Sequence, residues 1–185
     1  MRTTTQPCTL VRNNANLGLN RSLNRGMERA IGEFVVCLDA DDSLLPHMVE
    51  SHVRLLLESD DLVLVHGDGR RLDQDGAVLV ESIIMEHRST PAPTGMIFTD
   101  VLIDPRFIHF STVTMRRSAM DTVGPFDEEL AYQDFDMLLR PSIRALRSAA
   151  SIFPDPRMLV EACVLLTRSA LGRALHRGRG AVEAR

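Results

Sequence analysis

Three carboxylates fall within four positions in the stretch GEFVVCLDADDSLLP, where Asp39, Asp41 and Asp42 follow directly on the apolar run 34–38. Like charges packed this closely repel one another and raise one another's pKa, so such a group marks a place where a cation or a proton is handled. A solvated turn is the plain alternative reading. Every one of the 21 basic residues is arginine, which removes any chemistry that needs a lysine, whether Schiff base or Walker-type phosphate clamp. Cys8, Cys37 and Cys163 are far apart and odd in number, without metal-ligand spacing, so free thiols in a reducing compartment are expected. His47 and His52 stand five apart and do not share a helix face, which reads as two solvated positions. His109 reads as structural, with an approach to a bound ligand as the alternative, and the pair Arg116 and Arg117 either touches a bound anion or is surface charge.

The elements that must hold the acidic group follow from periodicity. FVVCL, rich in β-branched residues and bounded by charge, reads as a buried central strand, with the carboxylates at its C-terminal end, where open α/β sheets place ligands. Before it, a short strand is expected at CTLVR (8–12). A helical stripe of Leu19, Leu23, Met27 and Ala30 or Ile31 follows and ends at Gly32. After it, Asp42 or Ser43 should cap a helix with Pro46 in its first turn and Val49, Val53, Leu56 and Leu57 buried. LVLVH (62–66) reads as a second buried strand and RLDQDGAVLV as a hairpin turning at Asp75 and Gly76. Further on come a helix at GMIFTDVL, a strand at STVTMRR, a short helix from Ser118 to Gly124, and a helix from Gln133 towards Ala150 that Pro141 bends or breaks. This alternation implies a mixed α/β sheet flanked by helices.

At 185 residues the chain suits one core plus a tail. Residues 1–139 carry 12 basic and 22 acidic side chains, a charge of −10, and residues 140–185 carry 9 and 3, a charge of +6. The expected division is a domain over 1–150 and a basic tail over 151–185, partly helical, with a disordered end at HRGRGAVEAR. Such a tail suits an anionic membrane surface, nucleic acid or the acidic body itself. The lack of Trp and the single Tyr132 argue against a base-stacking platform, so no nucleic-acid partner is expected. No apolar run approaches the roughly 18 residues of a membrane span and no signal-peptide core is present, so a cytoplasmic protein, soluble or peripheral, is expected.

The stretch NANLGLNRSLNRGMERAIGEFVVCLDADD resembles the middle of the nucleotide-binding domain of family 2 glycosyltransferases. In that family an N-x-G segment opens a helix ending in A-x-G-E, and a hydrophobic strand delivers a D-x-D cluster. Here these are Asn16 and Gly18, then Ala30, Gly32 and Glu33, then Asp39, Asp41 and Asp42. A second block, STVTMRRSAMDTVGPFDEELAYQDFDMLLR, is similar to the family's acceptor-side stretch, and the two blocks lie in family order. The resemblance covers about residues 9–140 and implies a GT-A-like, Rossmann-like α/β domain that is N-terminally truncated, since the family's opening strand and V-D-D-x-S segment have no counterpart here.

What the resemblance implies is an inverting transferase that moves a sugar from a nucleotide-diphosphate sugar to a saccharide or lipid-linked acceptor. Mg2+ or Mn2+ would be held by Asp41 and Asp39. These hard ions take oxygen ligands and often only one or two protein carboxylates, the phosphates filling the rest. Asp39 would also reach the nucleotide, with Asn16 and Gly18 on the donor side. Asp42 would support the site or cap a helix. Asp134 would be the general base, with Gln133 standing before it where the family usually has glutamate. Polysaccharide synthesis at the cell envelope, with peripheral contact through the basic tail, is the implied setting.

Three alternatives stay open on sequence. A haloacid-dehalogenase-type phosphohydrolase also begins with a strand ending in D-x-D, and HGDGRRLD mimics its distal motif, although only 27 residues separate Asp41 from Asp68. HGDGRRLDQDG could also suggest a calcium loop, but it lacks the terminal Glu. A catalytically inactive remnant of a transferase is the third.

Overall fold

The computed structural model describes residues 8–90, 92–130, 133–143, 150–151 and 161–165. Its elements in chain order are α1 (Leu19–Met27), β1 (Phe34–Val36), β2 (Asp42–Leu44), α2 (Met48–Glu58), β3 (Leu64–His66), β4 (Asp68–Leu72), β5 (Val78–Val80), α3 (Ile83–His87), α4 (Phe98–Ile103), β6 (Val113–Arg116), α5 (Arg117–Val123), α6 (Gln133–Ile143), β7 (Ala150–Ser151) and β8 (Glu161–Leu165). Short 3-10 turns occupy Pro105–Phe107 and Phe110–Thr112. This is the mixed α/β architecture expected from the alternation of elements, and it is consistent with the GT-A-like domain that the resemblance implies.

The first sheet runs β1-β6-β3-β7 and the second β2-β8-β4-β5. Side chains alternate across the first sheet with the two-residue period of a strand. Phe34, Val36 and Val65 face α2, where they pack with Met48, Leu55 and Leu56. Val35, Leu64, Val113 and Met115 face the other way into the larger core with Val101, Phe107, Met120, Phe126, Met137 and Leu138. The sheet is thus covered on both faces, by α2 on one and by α4, α5 and α6 on the other. The hairpin forms where Asp75 and Gly76 predict it. Gly76 has φ 85°, and Asp73 Oδ1 accepts from the N–H of Asp75 and of Ala77, both at 2.9 Å.

Several expectations are corrected. Residues 8–13 form no strand, and α1 ends at Met27, leaving Ile31 97% exposed. FVVCL supplies only the three-residue β1, whose one neighbour among the described residues is β6, so within the described sheet it lies at the edge and not at the centre. Asp42 and Ser43 cap no helix. They open β2, which pairs with β8 in the register Asp42↔Val164, and α2 begins only after His47, at φ 74°. The helix buries Met48, Ser51, His52 and Leu56, so of the expected face Leu56 is enclosed, whereas Val49 is 44% and Leu57 62% exposed. His52 is therefore not solvated but fully enclosed, its Nδ1 2.8 Å from Thr114 Oγ1. α6 runs through Pro141, and the expected continuation at 144–149 lies outside the described residues, as does the basic end at 166–185.

Candidate active site around the acidic turn

Antiparallel pairing assembles the site. The register Val36↔Thr114 sets the C-terminal end of β1 beside the N-terminal end of β6, and His66↔Val113 brings the end of β3 to the same place. The acidic turn after β1 therefore lies against the segment that leads into β6. The contacts follow from that placement: the N–H of Asp39 donates to Ser111 Oγ at 3.3 Å, and the N–H of Asp42 donates to the carbonyl of Asp39 at 3.1 Å.

Within the turn the three carboxylates have different surroundings. Asp39 is exposed, Asp41 half-buried, and the Asp42 side chain only 2% exposed. Partial burial raises the Asp39 carboxyl above the ordinary carboxylate range; His109 opposes this, and the charges of Asp41 and Asp134 add to it. Burial likewise raises Asp42, against a hydrogen bond from Ser111 and the influence of His109, with Asp39 and Asp41 pushing upward. His109 Nδ1 stands 3.9 Å from Asp42 Oδ2. Cys37, just before the turn, is no nucleophile at neutral pH, because burial, and then the charge of Asp39, push its thiol up to about 11.

Asp134 belongs to the same neighbourhood although it is 95 residues from Asp39 in sequence. It sits in the first turn of α6, with its Oδ1 accepting from the N–H of Phe135 at 2.9 Å. It also lines a cavity of about 310 Å³ walled by Pro105, Arg106, Ile108, Phe135 and Leu138. A carboxylate at the edge of a mostly apolar recess can take a proton from a hydroxyl held there.

The donor-side pair has a local role. Asn16 Oδ1 accepts from the N–H of Gly18 at 3.0 Å, and Gly18, at φ 83°, begins α1. That φ suits glycine because a Cβ would be strained there. The helix it opens is clamped to the acceptor-side loop. Asn20 Nδ2 donates to the carbonyls of Asp127 and, at 2.9 Å, of Leu130, and Asn24 exchanges two hydrogen bonds with the main chain of Phe126, at 2.9 and 2.8 Å. Asn20 and Asn24 were not singled out from sequence, although two amides at i and i+4 on a helix otherwise buried through Leu23 and Met27 were a readable signal.

Other candidates separate cleanly. The Arg116 guanidinium binds the carbonyls of Leu62 (2.8 Å), Leu56 and Ser59 (3.2 Å), closing the end of α2, so it holds the fold rather than a diphosphate. Arg117 is half-buried beside Asp121 at 3.7 Å. Asp68, the distal acid of the phosphohydrolase alternative, is buried and saturated by the N–H groups of Gly69 (2.7 Å) and Ile84 (3.0 Å) and the hydroxyl of Ser82. Both of its oxygens are engaged in holding the start of α3, a structural role that speaks against that alternative.

Among the described residues no three His, Cys, Asp or Glu side chains converge to hold a metal unaided. Asp39 and Asp41 do fit a hard divalent ion as a partial donor set. They flank Ala40 with oxygen ligands, their charges act on each other, and among the described residues neither forms an ion pair with an arginine. No described helix is long and apolar enough to cross a membrane.

The family model described as "Glycosyl transferase family 2" matches residues 2–124. That span includes Asn16, Gly18, Asp39, Asp41 and His109 and ends before Asp134. The amylovoran biosynthesis glycosyltransferase AmsE of Erwinia amylovora is 26% identical over 156 residues, 84% of this chain and 55% of that protein. The uncharacterized glycosyltransferase MJ1057 of Methanocaldococcus jannaschii is 31% identical over 71 residues, 38% of this chain and 24% of that protein. The chain thus spans about half the length of the first relative, and the stretch matched to the second covers about a quarter of that protein.

Proposed function

The chain belongs to glycosyl transferase family 2, and from that premise we propose that it moves a sugar from a nucleotide-diphosphate sugar to a hydroxyl acceptor with inversion at the anomeric carbon. The observation that carries this reading is that the charge of Asp134 acts on Asp39 while Asp134 lines the adjoining cavity. Donor-binding acids and a separate base on one site are what inverting transfer requires.

Asp39 and Asp41 would hold Mg2+ or Mn2+, which supplies charge stabilisation to the departing diphosphate. Asp134 would accept the proton of the acceptor hydroxyl as its oxygen bonds to the anomeric carbon. The bond from that carbon to the diphosphate oxygen breaks, and its electron pair leaves with the diphosphate. Ile108, Phe135 and Leu138 would shelter the attacking hydroxyl from water. Asn16 and Gly18 would act on the donor side by fixing the start of α1. The Erwinia relative is named for amylovoran biosynthesis; by analogy this chain would act on a saccharide acceptor, free or lipid-linked, in polysaccharide assembly at the cell envelope. The arginine-rich stretch that follows β8, residues 166–185, would bring the transferase domain to the inner face of an anionic membrane.

Calorimetric titration with UDP, GDP and dTDP sugars in the presence of Mn2+ tests the donor side. Asp41→Ala should weaken metal-dependent binding. Asp134→Asn should leave that binding intact while lowering transfer by about 10²- to 10⁴-fold, the usual contribution of general-base catalysis. No binding to any donor in the panel would replace this reading with an inactive transferase remnant. Flotation with anionic liposomes tests the tail, and protein left wholly in the soluble fraction would remove the membrane contact.

A further inference from the structure

The residue that organises the acidic turn is one the transfer chemistry does not require. Asp42 is buried behind Asp39 and Asp41, and its Oδ2 has no hydrogen-bond partner. The atom facing it at 3.9 Å, His109 Nδ1, is buried and lacks a partner too. Two orphaned buried polar atoms about 1 Å beyond hydrogen-bonding distance each carry a desolvation penalty that closing the gap removes. His109 is also the basic group that acts on both Asp39 and Asp42.

The turn already has one tie to the segment before β6, through Ser111, which accepts from the Asp39 N–H and bonds the Asp42 carboxylate. The main chain of the turn is held at both ends, by β1 against β6 and by β2 against β8 from Asp42 onward, which leaves the orientation of the Asp42 side chain to its own contacts. A second contact there, from His109, would fix that carboxylate and with it the side to which the neighbouring Asp39 and Asp41 present their oxygens.

We propose that His109 is a positioning residue for the donor diphosphate: it binds Asp42 through Nδ1–H, holds the 39–42 turn in its metal-binding orientation, and does not itself touch the substrate. This rests on the reading of Asp39 and Asp41 as metal ligands. The local fold does not depend on the imidazole, because the 3-10 turn at Phe110–Thr112 is held by the His109 main-chain carbonyl, which accepts from Thr112 N at 2.8 Å and from Thr112 Oγ1 at 2.7 Å. Replacing the side chain therefore leaves those bonds in place.

The test compares Mn2+ affinity in the presence of inorganic pyrophosphate, read from the electron paramagnetic resonance signal of free Mn2+, for the parent chain, His109→Ala, His109→Asn and Asp41→Ala, with the melting temperature of each. His109→Ala should weaken Mn2+ binding about tenfold, the lower end of what losing a residue that orients a metal ligand costs, without lowering the melting temperature. His109→Asn, whose amide N–H lies near the position of Nδ1–H, should recover most of the affinity. Unchanged affinity in His109→Ala beside a loss in Asp41→Ala would overturn the proposal and leave the metal reading standing. Equal losses in both His109 variants with a fall in melting temperature would overturn it in favour of a fold role. No loss in Asp41→Ala would remove the metal reading and this proposal together.

Discussion

Lowering the pH from 7 to 5 should destabilise the protein through two enclosed imidazoles, His52 and His66, by as much as about 4 kcal/mol. His66 is fully buried in β3 with its ring 5.7 Å from that of Phe107, and burial lowers its pKa to about 4 against an opposing pull from the backbone of Pro93 and Gly67. His52 is lowered to about 4 by burial and then by His66. In the unfolded chain both return to about 6.5, so between roughly pH 6.5 and 4 the unfolded state binds more protons and stability falls as the pH falls. At pH 5 the imbalance is worth about 2 kcal/mol for each ring, and the pair sums to somewhat less than double because their titrations are linked. Asp39 and Asp42 act in the opposite sense, since their raised folded pKa values favour the folded state as they take up protons. A comparison of variants removes that background. Urea unfolding at pH 7 and pH 5 should show His66→Leu losing about 2 kcal/mol less over this interval than the parent. Equal losses in the two proteins, or an NMR titration placing the His66 ring near pH 6, would refute the reasoning.

Three further outcomes are expected. Asn20→Ala leaves the carbonyls of Asp127 and Leu130 without their shared donor and should cost about 1–3 kcal/mol in chemical denaturation, more than an exposed polar truncation would. His47, the one non-glycine residue described at positive φ, should stabilise the fold by up to about 1 kcal/mol when replaced by glycine, seen as a raised melting temperature. Arg116→Lys should lower stability by about 1–2 kcal/mol, because an ammonium cannot reach the carbonyls of Leu62, Leu56 and Ser59 with the planar fork of a guanidinium. An unchanged unfolding midpoint would contradict that role for Arg116.

The parts of the fold legible in the sequence were those fixed by short-range chemistry. The hairpin at Asp75 and Gly76, the strand of residues 64–66 and the end of α5 at Gly124 follow from turn geometry and apolar runs, which need no distant partner. The acidic turn after β1 was legible for the same reason. Elements defined by remote partners were not. β2 is too short and polar to announce itself and exists through β8, more than a hundred residues away. Reading Asp42 as a cap placed the start of α2 too early, and reading His52 from its spacing to His47 alone left it in solvent, because its partner Thr114 lies on the distant β6. Nothing local marks β1 as an edge, because FVVCL is as apolar as an interior strand. The place of His109 beside the acids depends on the antiparallel register of β1 and β6, which composition does not encode.

The clamp between α1 and the loop at 126–130 grips the main chain at three residues and, through Arg21 at 2.7 Å, the carboxylate of Glu128. Asn20 and Asn24 bond the main chain of Phe126 and the carbonyls of Asp127 and Leu130, groups present whatever residues stand there. Leu130, bonded here only through its carbonyl and 44% exposed, can therefore vary without loosening that joint, whereas Asp127 also accepts from the N–H of Glu129 at 2.9 Å. That freedom lies directly ahead of the helix bearing Asp134, which makes the loop a tolerant place to retune what the enzyme accepts.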